Sequence, residues 1–227
     1  YTGTVTLGNA TGDGSTFGTG LDFSGNAALA LQGTITTTND AVTFGSGGVT
    51  LGAASAVATA GGAINFEGLL NGAQNLTITA GTGTVTFTGA VGGTTRLATL
   101  NIVSAGTVTA AALTLGAFDQ DAGTGTTTFG GAVNTNTAAG VVVANTNLAV
   151  NAGVTTTSSG AVTLTLSGTM TTAAAGYISS DGAVTITSSL GTTSSADITT
   201  TADATQFAST RQRGGAVARA SANGDAT

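Results

Sequence analysis

Apolar and polar residues alternate in short runs along this chain, and the runs recur at a fixed interval. Val42-Thr43-Phe44, Ile64-Asn65-Phe66 and Val85-Thr86-Phe87 each read apolar, polar, aromatic. Leu21-Asp22-Phe23 and Thr127-Thr128-Phe129 follow the same scheme, and a glycine comes soon after each phenylalanine. Alternation with period two over a few β-branched residues predicts a strand with one buried face. The phenylalanines Phe23, Phe44, Phe66, Phe87 and Phe129 are separated by 21, 22, 21 and 42 residues. The last gap is two periods, and Val108 is placed on the missing beat. A fixed period of this size marks a repeat architecture.

Each unit carries further strand patterns, such as Leu76-Thr77-Ile78-Thr79 and Leu100-Asn101-Ile102-Val103. Two or three short strands per unit leave no room for a helix. In the Ala-rich stretches Gly and Thr interrupt every window, and no 3.6-residue period survives. The expected fold is therefore all-β: a right-handed parallel β-helix (β-solenoid) of about 21 residues per coil. The hand follows from the bias of parallel crossovers. Roughly ten coils spaced by the inter-strand distance make a rod about 50 Å long. The expected interior ladder is Phe23, Phe44, Phe66, Phe87, Val108 and Phe129.

The beat changes late in the chain. Leu164, Ile186 and Phe207 form a second series with gaps of 22 and 21. Either an irregular coil lies between 130 and 160, or another side of the coil carries the large residue there. After Phe207 the alternation stops, so 1–207 is assigned to the solenoid and 208–227 to a tail or cap. Tyr1 is followed almost at once by the strand pattern Thr4-Val5-Thr6-Leu7, so that end of the rod is expected to be bare.

Composition narrows the functions open to such a rod. The 227 residues include 37 Gly, with no Pro, Cys or His, and only 6% are charged against 41% hydrophobic. That balance argues against disorder. The net charge is −6, and four basic residues cannot build a phosphate-binding surface, so nucleic acid is not an expected partner. No apolar run reaches the ~18 residues of a membrane-spanning helix, so no membrane insertion is expected. With no starting Met and no signal pattern, the expectation is a processed product or a piece of something larger.

Candidate chemistry rests on carboxylates, hydroxyls and arginine. Asp22 and Glu67 fall at nearly the same coil position two coils apart, which on a solenoid face is the raw material of glycosidase chemistry. Solvated charges that keep the rod soluble are the simpler explanation. Asp119 and Asp121 are calcium candidates, but two carboxylates fall short of the six to eight oxygens that the ion takes. A turn with an Asx-type hydrogen bond explains them as well. Thr-x-Thr pairs recur throughout and could order water on a flat face. The outward positions beside the ladder, counted as Asp22/Ser24, Thr43/Gly45, Asn65/Glu67, Thr86/Thr88 and Thr128/Gly130, give a mixed face. Threonine also suits any solvent-facing strand.

The segment 70–93 carries a family likeness. Ala80–Val91 (AGTGTVTFTGAV) recurs as Ala122–Val133 (AGTGTTTFGGAV), identical at ten of twelve positions. Residues 64–135 resemble the repeats of filamentous-haemagglutinin-like adhesins and giant β-strand-repeat bacterial surface proteins. The resemblance implies a secreted β-helical protein of the bacterial cell surface, used in adhesion, biofilm or surface layers. It carries no catalytic residues. The expectation is a non-enzymatic, extracellular structural rod needing no cofactor, either one stretch of a longer adhesin or a subunit stacking end to end. Host or matrix glycans are possible ligands. An ice-binding or glycan-binding solenoid is the alternative, and a polysaccharide-active β-helix enzyme is the remote one.

Overall fold

Short strands separated by glycine-rich corners wind into a parallel β-solenoid of about nine turns. This computed structural model describes residues 5–7, 14–18, 20–25, 27–201, 205–209 and 220–222. Every strand pairing is parallel, and no helix occurs among the described residues. Residues 1–4, where the bare end was expected, lie outside them. The boundary expected at 207 falls inside the strand Thr205–Ser209, and Ala220–Ala222 adds a further strand beside Ile198–Thr200. The rest of the expected tail, 208–227, lies outside the described residues.

Three faces make up each turn. The first is a nine-stranded sheet running from Leu21–Phe23 to Gly191–Ser194. The second begins with Val5–Leu7, Leu29–Leu31, Val49–Leu51 and Leu70–Asn71. It passes through single bridges at Val91 into Leu113–Gln120 and on to Ile198–Thr200. The third includes Asn75–Thr79, Val141–Asn145, Val162–Leu166 and Val184–Ser188. Alternation places every second side chain inside, where Val, Ile, Leu and Phe from all three faces form one continuous core.

Phe23, Phe44, Phe66 and Phe87 stack in register along the first face, with ring centroids 5.9, 4.5 and 5.1 Å apart. The next member is not Val108. Val108 pairs with Val85 and Thr127, and Ala110 stands between Phe87 and Phe129. Val108 is still inward and fully buried, but in the companion column. Phe118, from the third face of the same turn, meets Phe129 edge-on at 5.3 Å. Both are buried. The large side chain of that turn thus comes from across the core.

Two neighbouring turns explain the displaced beat. From Phe87 to Ala110 is 23 residues, and from Ala110 to Phe129 is 19. The long turn carries extra chain at 92–96, whose Thr94 and Thr95 amides donate to the Asn71 side chain at 2.9 and 3.1 Å. Arg96 reaches outward from it to donate to the Leu115 and Asn134 carbonyls and the Asn134 side chain. The short turn loses a corner: Leu113–Gln120 is one eight-residue strand that serves both the second and the third face.

No irregular coil separates 130 from 160. The register Phe129, Val150, Thr172, Ser194 continues unbroken on the first face. Leu164, Ile186 and Phe207 belong to the third face, in the column of Ile78, Ile102, Gln120 and Val143. The large residues change face while the coil keeps its period.

Two columns of the interior become more polar toward the later turns. Phe129 gives way to Val150, Thr172 and Ser194, and on the second face Leu115 gives way to Thr135, Thr156 and Ser180. All these hydroxyl residues are buried. Most find partners: Thr172 with Ser194 at 2.9 Å, Thr156 with Ser180 at 3.2 Å, Ser180 to the Gly160 carbonyl at 2.9 Å. The hydroxyl of Thr135 has none. Corners are tight where turns stack. A Cβ added at Gly83 would stand 2.1 Å from the Gly62 carbonyl oxygen, so only glycine admits that approach.

Candidate functional site

With the inside of each turn filled, chemistry is left to the outward side chains. Among the described residues the carboxylates do not converge there. Asp22 shares its column with Thr43 and Asn65, so Glu67 stands past the end of that strand, beyond Phe66, and not in register with Asp22. Asp22 accepts a hydrogen bond from the Ser24 amide at 2.7 Å. Hydrogen bonding from Ser24 holds its carboxyl below the ordinary value, as in a closed Asx turn. The position of the pair does not suit a cleaving dyad, which needs two carboxyls flanking one bond.

Asp119 lies outward on Leu113–Gln120, between Asn101 and Val142 in the ladder. Partial burial, then the charge of Asp121, pushes its carboxyl above the ordinary value. The side-chain oxygen of the adjacent Asn101 is buried without a hydrogen-bond partner. Among the described residues no third acidic, imidazole or thiol group joins them. Two carboxylates and one amide oxygen fall short of a calcium shell.

Beneath this surface lies a buried polar cluster that the sequence pattern did not flag. Gln120 occupies a column of branched apolar residues and is fully buried. Thr127 donates to its Oε1 at 2.6 Å, and Asn145 donates to the Thr127 hydroxyl at 2.7 Å and to the Asn147 carbonyl at 3.1 Å. Its groups bond one another in the core and face no solvent, so it serves packing and not binding.

The hydroxyl surface is more regular than the sequence count suggested. Strands of the first face end at the phenylalanine, and the amide of the residue after it still bonds to the preceding turn, as Glu67 does to the Phe44 carbonyl. The ladder runs one residue past these strands at both ends, through Val85 N–H to the Thr107 carbonyl on one side and Thr88 N–H to the Phe66 carbonyl on the other. On the side before the phenylalanine column, three consecutive turns carry the outward pairs Thr84/Thr86, Thr107/Thr109 and Thr126/Thr128. Thr171 and Thr193 continue one column beyond Ala149. Adjacent turns are about 4.8 Å apart and residues i and i+2 about 6.7 Å. Six hydroxyls thus form a regular grid over the part of the core that holds Phe87, Ala110 and Phe129.

The sequence count took the positions on either side of the phenylalanine, which are mixed; the regular pairs are those that precede the inward column on these three turns. The signal was present, since each pair precedes an inward residue on a strand of period two. No family model, curated protein or solved structure matches the chain.

Proposed function

We propose that this chain is a structural segment of an extracellular bacterial surface fibre or adhesin, acting as a rigid β-solenoid rod. The observation that carries the reading is the first face, nine strands in unbroken parallel register from Leu21 to Ser194. Each strand bonds to the turns on either side, and one apolar core runs through them. Such an object holds a length and presents a surface, and its stability is a sum over neighbouring turns. The likeness of residues 64–135 to filamentous-haemagglutinin-like repeats supports the extracellular setting. Its partners are neighbouring repeats of a longer chain, or a second copy stacked end to end by a heterologous contact.

Antibody raised against the chain should label the outside of intact producing cells. Electron micrographs of the purified chain should show rods in which nine turns span about 43 Å. Labelling only after lysis would overturn the surface assignment. Monodisperse short rods at every concentration would remove end-to-end stacking.

A second reading rests on the threonine grid. An array of hydroxyls at two regular spacings orders water, and ice is the solid that rewards such order. The purified chain should then slow ice recrystallisation, and Thr107→Tyr, which lifts one bulky ring above the grid, should abolish the effect. Equal crystal growth with and without the protein would remove this reading.

A further inference from the structure

The Val154 to Ile178 step on the second face is 24 residues, against 21 from Val133 to Val154 and 20 from Ile178 to Ile198. The surplus forms an exposed shoulder at Ala173, Ala174 and Ala175. Beside it stands Tyr177, which is 46% exposed and the one exposed aromatic among the residues whose side chains are described. Its place is prepared. Tyr177 lies next to Gly153 in the parallel ladder, and its carbonyl accepts from the Val154 amide at 2.8 Å. A Cβ added at Gly153 would stand 2.3 Å from the ring carbon Cζ and 2.6 Å from the hydroxyl. The ring thus rests on bare backbone of the preceding turn, a seat that any other residue would fill.

On the side of the following turn the surface opens into a groove of about 540 Å³. Its walls are Tyr177, Ser179, Thr199, Asp197, Ser195 and the Ala174 shoulder. That volume lies in the range of small-ligand sites. One flank is an aromatic ring and the rim is hydroxyls with a single carboxylate. Arg96 is the one basic side chain among the described residues, and it is committed to Leu115 and Asn134. Among the described residues no cation therefore faces the groove to favour phosphate, sulfate or uronate.

We infer that this groove is a subsite for a neutral saccharide. A pyranose has an apolar face of C–H groups, which packs on the tyrosine ring. Its edge of hydroxyls matches the Ser179, Ser195, Thr199 and Asp197 rim, where the carboxylate accepts two hydroxyl protons in charge-assisted hydrogen bonds. The ring is held before the ligand arrives, so little side-chain freedom is lost on binding. The site deepens the surface-fibre reading by naming what the rod would hold, yet stands on geometry that a rod of any other purpose would share.

The chain has two tyrosines and no tryptophan. In a Tyr1→Phe background Tyr177 is then the sole tyrosine reporter. Cellohexaose, xylohexaose, mannohexaose and chitohexaose are titrated against that protein, followed by tyrosine emission and by calorimetry, with oligogalacturonate as the charged control. At least one neutral hexaose should give a saturable change, and oligogalacturonate none. By calorimetry Tyr177→Ala should weaken the association about tenfold, because a buried aromatic anchor carries much of such an interface. Tyr177→Phe should keep most of the affinity, and Gly153→Ala, which unseats the ring, should lose it with Tyr177 still present. Far-UV circular dichroism confirms that each variant keeps its β signal.

A flat titration with all four neutral sugars overturns the assignment, as does unchanged affinity in Tyr177→Ala. Binding of oligogalacturonate alone overturns the neutral class. An oligomer that Tyr177→Ala dissociates, with no sugar response, gives the groove to a second copy of the chain. Rods in micrographs of the same preparation alongside a flat titration strike the saccharide site alone and leave the fibre reading standing.

Discussion

A phenylalanine placed at Ala110 tests how the core is shared across the turn. Stacked rings fit one per turn elsewhere in this column, at centroid steps of 4.5 to 5.9 Å. At 110 the new ring would stand between Phe87 and Phe129, where Phe118 already presents its edge to Phe129 at 86°. Ala110→Phe alone overpacks a filled core and should cost about 2 kcal/mol. Phe118→Ala alone empties a buried site and should cost about 4 kcal/mol. If the two side chains compete for one space, the new ring refills the cavity. The double variant should then lose about 3 to 4 kcal/mol rather than the additive 6, an interaction of at least about 2 kcal/mol. Urea unfolding followed by far-UV circular dichroism gives the midpoints and slopes. The slopes must agree across the four proteins, because stacked repeats can unfold in parts. A double variant at the full additive cost, within about 0.5 kcal/mol, would refute the shared-space argument.

Three further outcomes are expected. Thr127→Val strips Gln120 of a donor and Asn145 of an acceptor inside the core, and urea midpoints should show a loss of about 2 to 4 kcal/mol. Gly83→Ala forces the Gly62 carbonyl to move, and should lower stability by about 2 to 3 kcal/mol, read as a drop in the thermal midpoint. Two aspartates should give opposite pH signatures in acid titrations. Asp181 is held below its ordinary value by the Ser159 amide and Thr201 hydroxyl. Its contribution is complete above the unfolded-chain value of about 3.9 and disappears as pH falls through the lower folded value. Asp181→Asn should therefore flatten acid unfolding below that pH. Asp119 is raised, so its ionisation opposes folding as pH rises through the window above about 3.9. Asp119→Asn should be the more stable protein at pH 7 and equal to the parent in strong acid; the reverse order would contradict the assigned environment.

The period and the parallel stack were legible because phenylalanine is rare here and buried side chains repeat once per turn. Val108 was misplaced for a specific reason. A 23-residue turn is followed by a 19-residue one, so their sum hides both, and a count of 21 from Phe87 stops two residues early. Period two then keeps Val108 inward, so no polarity signal betrays the error. The changed beat at Leu164 left two readings open, and the ladder takes the second, with the large residues on another side of the coil, because one-dimensional spacing does not say which face a residue occupies. Asp119 and Asp121 were visible as a pair, but their surroundings depend on Asn101 from the turn before. Tyr177 drew no attention because the glycine beneath it is 24 residues away, and only the ladder brings the two together.

The change from phenylalanine to hydroxyl along the core bears on how the rod would meet a pulling force. Burying a phenylalanine contributes about 2 kcal/mol from its apolar surface, whereas a paired hydroxyl contributes only a fraction of that. Turns around Thr172, Ser180 and Ser194 therefore grip their neighbours less firmly than those around Phe44, Phe66 and Phe87. Tension applied along the chain would peel those turns first and leave the aromatic stretch wound. Loosened turns could then lengthen and absorb load while the threonine grid above the aromatic stretch kept its spacing. In single-molecule stretching this predicts steps of about one turn each at the lowest forces, beginning at the hydroxyl-filled end.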